Sequence, residues 1–369
     1  MAESVLVERL KAECGDVEPR SVGLSIASGS TDPAFAEKVA TELGVDPVEV
    51  ERRKFLDGEL FVRYGDSLRG TDTFLIQSHY NRSTRYPDWS PNDAIQEHVF
   101  MIDAAIGASA MHVSAVAPWF GYSRQDKKDD GRVPIAARRV VRQLLSAGAE
   151  RLISMDLHAP QIQGFTGDNE PFENIFASKV LLDHIKNWAT DKDPENIVVV
   201  SPDEGRVKLN NFYVSELNEH FGQILGEEDF RGVKLAIVNK DRSPDSSQVR
   251  AMSIIGDVRG KDCVEIDDMI DTAKTLCASA DAIMHAGAAS VIAAATHPVF
   301  SGDAVEHLAN SVFERIIVTD TISQEAIKDE LPTLEIASVT SSFAEVIWRI
   351  HHNQSVSSMF RKQRAEYEK

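Results

Sequence analysis

The amino-acid sequence predicts an α/β protein with two parallel sheets, each flanked by helices. Three observations carry that prediction. Short Val- and Ile-rich runs alternate with amphipathic stretches of helical length. These fall into two successive series, with a polar segment near residues 166–175 between them. The chain has 369 residues, and at roughly 150 per domain that length holds two domains. Strands that recur with a helix between them pair in parallel, with helices on both faces of the sheet.

The first series opens with a strand at Val22–Ile26. A helix follows over Pro33–Leu43, with proline in its first turn and Gly44 as its stop. Strands at Phe74–Gln77 and Met111–Ala117 bracket a helix from about Asn92 to Ile106. A helix over Ile135–Ser146, ended by Gly148, leads to a strand at Leu152–Met155. The second series has strands at Ile197–Val200, Val233–Val238, Cys263–Ile266, Ser290–Ala295 and Ile316–Thr319, with a helix at Thr272–Ala286. A last helix, Phe343–Ile350, precedes a polar tail. The predicted domains are therefore 20–170 and 171–340, with 341–369 packing back on the first. Tyr80–Pro91 and Gly222–Gly232 read as polar loops.

Hydrophobic residues make up 43% of the chain and charged residues 26%, which suffices for sizeable cores. The net charge of −19 disfavours nucleic acid or an anionic membrane surface as a partner, since both need a basic footprint. A polyphosphate ligand would need a dense local cationic site or a divalent metal. The cysteines, Cys14, Cys263 and Cys277, form no CxxC and no disulfide framework. No apolar run approaches about 18 residues, and the first 16 residues lack the apolar core of a signal peptide, so a cytoplasmic protein is expected.

The most informative stretch is Cys263-Val-Glu-Ile-Asp-Asp-Met-Ile-Asp-Thr-Ala-Lys-Thr. An apolar strand runs into Asp267 and Asp268, then into a turn that opens a helix. Ligands of open parallel sheets sit at the carboxyl ends of strands. Paired carboxylates there accept hydrogen bonds from sugar hydroxyls or hold a cation, and the amides and hydroxyls of Asp271–Thr275 at a helix start form an anion cradle. Diol and phosphate side by side describe a sugar phosphate. A merely capped helix after an acidic turn explains the spacing equally well.

Other strand ends add weaker signals. Asp156 and His158 are two apart after a strand, as a metal–polyphosphate site or a structural pair requires. Arg124, Lys127, Lys128 and Arg132 concentrate charge on one loop beside Trp119, Phe120 and Tyr122. That loop suits a polyphosphate and a stacked base, or is simply solvated, with Asp126, Asp129 and Asp130 as counter-charges. Phe55, Asp57 and Glu59 join a π-face to two acceptors, as adenine recognition needs and as an ordinary turn also provides. Lys240 and Arg242 follow the Val233–Val238 strand on an expected mobile loop, where two cations can stabilise a transferring phosphoryl group or sit exposed. Asp203 follows another strand as a possible metal ligand or turn residue. No GxxxxGK[ST], HExxH or strand-following GxGxxG occurs, so a nucleotide would not be held by a P-loop or Rossmann turn.

Together the stretches Ser28-Gly-Ser, Phe55-Leu-Asp-Gly-Glu, Gly65-Asp-Ser-Leu-Arg-Gly, Tyr122-Ser-Arg-Gln-Asp-Lys-Lys, Met155-Asp-Leu-His-Ala-Pro-Gln-Ile-Gln-Gly-Phe, Ser201-Pro-Asp, Lys240-Asp-Arg and Asp267-Asp-Met-Ile-Asp-Thr resemble the ribose-phosphate pyrophosphokinase family. So do Thr296-His-Pro-Val-Phe-Ser-Gly and Asn353-Gln-Ser-Val-Ser. The resemblance spans about residues 20–361 in order. It implies two phosphoribosyltransferase-like domains with an active site at their interface, and transfer of the β,γ-diphosphoryl group of ATP to the 1-hydroxyl of ribose 5-phosphate. It implies adenine on Phe55, Asp57 and Glu59, with Phe55 partly supplied across a dimer. Arg124, Gln125 and Lys127 would contact ATP, and His158 and Asp203 would place Mg²⁺. Asp267 and Asp268 would take the ribose hydroxyls, Asp271, Thr272, Ala273, Lys274 and Thr275 the 5-phosphate, and Lys240 and Arg242 the transition state. A homo-oligomer built from dimers, expected as a hexamer, follows too, with a regulatory site near Ser67, Arg69, Gln161 and Gln163.

The family pattern is broken at two glycines: Arg206 and Lys274 stand in their places, and 80–91 and 222–232 read as insertions. Lys274 would either crowd the phosphate loop or add a cation to it. These departures admit a second reading, a non-catalytic subunit that co-assembles with an active synthetase. A phosphoribosyltransferase consuming the product is a third, but it would not need the RQDKK and DLHA stretches.

Overall fold

The structure is a computed structural model that describes residues 4–15, 22–80, 89–227, 229–242 and 249–361. The chain divides into two compact units. One takes the chain up to Phe176 together with Asp320–Ala326 and Ser338–Met359; the other takes Ala177–Thr319 and Ile327–Ala337, with Phe360 and Arg361.

In the first unit the elements run α1 (Val5–Cys14), β1 (Leu24–Ser28), α2 (Pro33–Leu43), β2 (Val50–Lys54), β3 (Leu60–Tyr64), β4 (Asp72–Ile76), α3 (Pro91–Gly107), β5 (His112–Ala117), α4 (Ala136–Ser146), β6 (Arg151–Met155) and β7 (Phe172–Ile175). The sheet order is β1-β4-β5-β6-β7, parallel throughout. Helix boundaries follow local chemistry. Asp32 caps α2, with Pro33 behind it and Gly44 at φ 72° ending it. Ser90 and Asp93 form a reciprocal capping box on α3, with Pro91 in its first turn. In α4 the buried Ala137, Val140, Val141, Leu144 and Leu145 make one stripe, while Arg138, Arg139 and Arg142 face water.

The second unit runs α5 (Ser178–Ala189), β8 (Ile197–Ser201), α6 (Val207–Leu225), β9 (Lys234–Arg242), β10 (Val249–Ile255), β11 (Asp262–Ile270), α7 (Lys274–His285), β12 (Ser290–Pro298), α8 (Ala304–Ala309), β13 (Ile316–Thr319) and β14 (Leu334–Ala337). Its sheet order is β10-β9-β8-β11-β12-β13-β14, parallel except for the β9–β10 hairpin at one edge. The chain then re-enters the first unit as α9 (Thr340–His351). There Phe343 meets Phe35 edge to face at 5.6 Å, and His351 Nδ1 lies 3.0 Å from Asp72 Oδ2.

Two expected loops are ordered differently. The polar residues 239–242 continue β9 as strand rather than forming a loop, because β10 pairs with them. Gly222–Leu225 are the last turn of α6, and Gly226 closes it at φ 72°. Pro91 belongs to α3, and 81–88 of the other expected loop lie outside the described residues, as do 362–369 of the expected tail.

Candidate functional site

The second unit carries the acidic strand end. β11 pairs with β8 only as far as Glu265–Val200, but with β12 as far as Ile270–Pro298. Asp267 and Asp268 therefore project past the end of β8, at the carboxyl edge of the sheet. Beside them the chain leaving β8 makes a 3₁₀ turn, Glu204–Arg206, capped by Asp203, whose Oδ1 accepts the Arg206 N–H at 3.1 Å. Asn210, fully buried on α6, ties this corner together: its amide donates to Ser201 Oγ (3.0 Å), Arg206 O (3.1 Å) and Ile266 O (3.4 Å).

The Arg206 guanidinium sits on the acidic pair. One terminal nitrogen lies 2.6 Å from Asp268 Oδ2, and Nε lies 3.5 Å from Asp267 Oδ1. That Asp267 oxygen also accepts the Asp268 N–H at 2.8 Å. Burial, then the neighbouring Asp268 carboxylate, pushes the Asp267 carboxyl well above the usual range, with Arg206 pulling the other way. Burial disfavours the Arg206 charge, but Asp268, Asp267 and Asp203 outweigh it and hold the guanidinium more firmly protonated.

Past β11, Asp271 opens the loop that leads into α7. The turn after β12 holds this loop by backbone: Phe300 N–H donates to Ile270 O (2.9 Å) and Ser301 N–H to Asp271 O (3.0 Å). Ala273 adopts φ 60°, a left-handed conformation that costs a non-glycine residue roughly 1–2 kcal/mol. Ala273 at the N-cap has no side-chain group to cap α7, and a helix start turns its first N–H groups toward an anion. Thr272, Lys274 and Thr275 are exposed around that start, so Lys274 does not crowd the loop in this structure.

The first unit carries the nucleotide-side candidates. Phe55 lies at the tip of the β2–β3 hairpin, whose turn is closed by Phe55 N–H to Glu59 O (2.8 Å) and Glu59 N–H to Asp57 Oδ1 (3.1 Å). The Arg53 guanidinium lies 4.4 Å from the Phe61 ring and 5.6 Å from that of Phe55, leaving Phe55 45% exposed. Arg124, Gln125 and Lys127 are exposed on the loop after β5. Lys127 pairs with Asp129 at 3.5 Å across solvent, a contact too weak to fix it. Tyr122 (φ 61°) and Arg132 (φ 64°) turn the loop, and the Tyr122 hydroxyl donates to Asn92 Oδ1 at 2.7 Å. Gln161 donates to Asp126 Oδ2 at 2.6 Å, and Gln163 to its own turn at Pro160 O. Ser67 and Arg69 share an exposed turn. His158 is half-buried in the turn after β6.

Two buried assemblies behind these loops have no sequence signal of their own. Gly121 N–H donates to His79 Nδ1 (3.2 Å), His79 Nε2 lies 3.1 Å from His98 Nδ1, and His98 Nε2 lies 3.1 Å from Leu75 O. Only neutral rings, each protonated at Nε2, satisfy all three links. Burial pushes His98 down to about 4 and His79 well below its usual value. The second assembly is Glu97, which accepts Ser30 N–H (2.9 Å) and Ser30 Oγ–H (2.6 Å) and pins the loop after β1. Burial raises its carboxyl despite those bonds.

Lys240 and Arg242 lie at the end of β9, opposite Met252 and Val249 of β10; their side chains lie outside what the structure describes. Among the described residues no cluster of three or more His, Cys, Asp or Glu forms a metal cage. Asp203 is an exposed carboxylate of the second unit, an oxygen donor of the kind a hard divalent cation takes.

Residues 24–148 match the N-terminal domain of ribose phosphate pyrophosphokinase, and 233–361 match the phosphoribosyl synthetase-associated domain. The chain is 42% identical over 337 residues to the ribose-phosphate pyrophosphokinase of Chlorobaculum tepidum, covering 91% of this chain and 95% of that protein. It is 40% identical over 352 residues to that of a Nostoc species, covering 94% and 98%. The crystal structure of phosphoribosylpyrophosphate synthetase from Mycobacterium smegmatis superposes with a TM-score of 0.74 at 37% identity, covering 90% of this chain and 99% of that one.

Proposed function

The chain belongs to the ribose-phosphate pyrophosphokinase family and makes 5-phosphoribosyl 1-pyrophosphate, and from that premise we propose how its residues share the transfer of the β,γ-diphosphoryl group of ATP to the 1-hydroxyl of ribose 5-phosphate. AMP is the second product. The relatives carry the enzyme's own name, which favours catalysis over a non-catalytic subunit.

The overhang of β11 carries the sugar assignment, because it presents two adjacent carboxylates beside a helix start. Asp267 and Asp268 accept the ribose hydroxyls. The 5-phosphate takes the N–H groups at the start of α7, the Thr272 and Thr275 hydroxyls and the Lys274 charge, while Asp271 and Ala273 shape the turn. On the nucleotide side, the exposed Phe55 face stacks on adenine, Asp57 and Glu59 accept its amine, and Arg124, Gln125 and Lys127 bind the phosphates. Diphosphoryl transfer asks for alignment and charge neutralisation rather than covalent catalysis. Lys240 and Arg242 supply that neutralisation as charge moves onto the departing AMP. His158 and Asp203 would each offer a ligand to Mg²⁺, which would neutralise phosphate charge.

The proposal extends to assembly and location. The enzyme works as a homo-oligomer built from dimers, in the cytoplasm, with Ser67, Arg69, Gln161 and Gln163 receiving a regulatory anion. Among the described residues no helix is long and apolar enough to cross a membrane.

Asp268→Asn tests the sugar assignment. One charged acceptor is lost, so the KM for ribose 5-phosphate rises roughly 10- to 100-fold while the KM for ATP stays within twofold. An unchanged KM for the sugar would move it elsewhere.

A further inference from the structure

The acidic pair assigned to the sugar is already engaged. Arg206 donates to Asp268 Oδ2 at 2.6 Å and approaches Asp267 Oδ1 at 3.5 Å, and the Asp268 side chain is only 5% exposed beneath it. A guanidinium is donor-only, and so is a sugar hydroxyl when it binds a carboxylate. The two compete for the same acceptor oxygens. The competition is built in by the fold: Asp203 and Asn210 fix the backbone of the 3₁₀ turn that delivers Arg206, at 3.1 Å from Arg206 N and from Arg206 O respectively. The guanidinium itself is 20% exposed, so it has an open side to swing toward.

We propose that Arg206 is a gate that occupies the sugar-binding carboxylates before substrate arrives, so that ribose 5-phosphate binds only by displacing it. The inference rests on the assignment of Asp267 and Asp268 to the sugar. Its consequence is a binding penalty, because the competent state, with Arg206 off Asp268, is the minor one before substrate arrives. Every ligand of the acidic pair bears the same penalty, and ribose 5-phosphate offsets it with the further contacts of its phosphate at the start of α7.

Calorimetric titration of ribose 5-phosphate into the full-length chain without ATP tests it, alongside steady-state KM values. Arg206→Gly is expected to bind the sugar phosphate about tenfold more tightly, the factor for giving up one charge-assisted hydrogen bond, with the KM for ATP unchanged. Arg206→Gln, which keeps most of the bulk and loses the charge, is expected to shift affinity the same way and serves if the glycine variant fails to fold. Free ribose, whose hydroxyls meet the same carboxylates, is expected to gain by the same factor. Equal or weaker sugar-phosphate binding in the folded variants would overturn the gate and make Arg206 a support for the site. No affinity for ribose 5-phosphate in the wild type or in either folded variant would overturn the sugar assignment itself.

Discussion

Acidification should loosen the scaffold behind the nucleotide-side loop, by an amount the histidine relay fixes. His79 and His98 are fully buried and complete a chain from Gly121 N–H to Leu75 O that only neutral rings can satisfy. His98 is pushed from 6.5 down to about 4 by burial. The unfolded chain therefore takes up the proton first as pH falls. A depressed folded pKa of this kind contributes stability that is complete above about 6.5 and is lost as pH falls toward about 4. Between pH 7.5 and 5 the loss from His98 alone is about 2 kcal/mol. Raised carboxyls such as Asp32, pushed up to about 7 by burial, act in the opposite sense, so the total slope does not isolate the relay. The difference between two proteins does. Urea denaturation of wild type and His98→Asn at a series of pH values should show the variant less stable at pH 7.5, with the gap closing by about 2 kcal/mol at pH 5. A gap constant with pH would refute the neutral relay.

Three further outcomes are expected. Lys274→Gly should weaken ribose 5-phosphate binding about two- to fivefold, increasingly at low salt, because the exposed lysine acts through charge; tighter binding would mean that it crowds the loop. Lys240→Ala should lower kcat by roughly 10²-fold or more with the KM for ATP preserved, as measured by AMP release; an intact kcat would remove β9 from the chemistry. Asn210→Ala should cost roughly 2–3 kcal/mol in urea denaturation, since Arg206 O and Ile266 O lose their buried donor, and should raise the KM for the sugar; a neutral substitution would mean that other groups hold the corner.

The acidic strand of the second unit was legible because its physics is local. Cys263, Val264 and Ile266 are apolar residues of strand type and all fully buried, with Glu265 the one charged residue among them, and carboxylates directly after such a strand belong at the sheet's carboxyl edge. The Thr272–Ala286 helix was legible within two residues at its start for the same reason. Residues 239–242 were misread as a loop. Their polarity suits solvent, but β9 runs past the end of β8, whose pairing stops at Ser201–Ile237, and pairs there with β10 alone, which leaves room for polar residues. The β2–β3 hairpin was missed because Glu51, Arg52, Arg53 and Lys54 break any apolar alternation; β3 packs on α3 instead of joining the main sheet. Arg206 was visible as a departure from pattern, but not its target. The acids it meets come from a neighbouring strand far along the chain, and only the parallel pairing of β8 with β11 brings them within reach. The His79–His98 relay is equally non-local, joining the segment after β4 to the middle of α3.

The most direct test of the account is the product balance. Phosphorus NMR of the purified chain with ATP, Mg²⁺ and ribose 5-phosphate should show AMP and 5-phosphoribosyl 1-pyrophosphate appearing in equal amounts, with no ADP. Accumulation of ADP, or no turnover by a folded sample that binds both substrates, would contradict it.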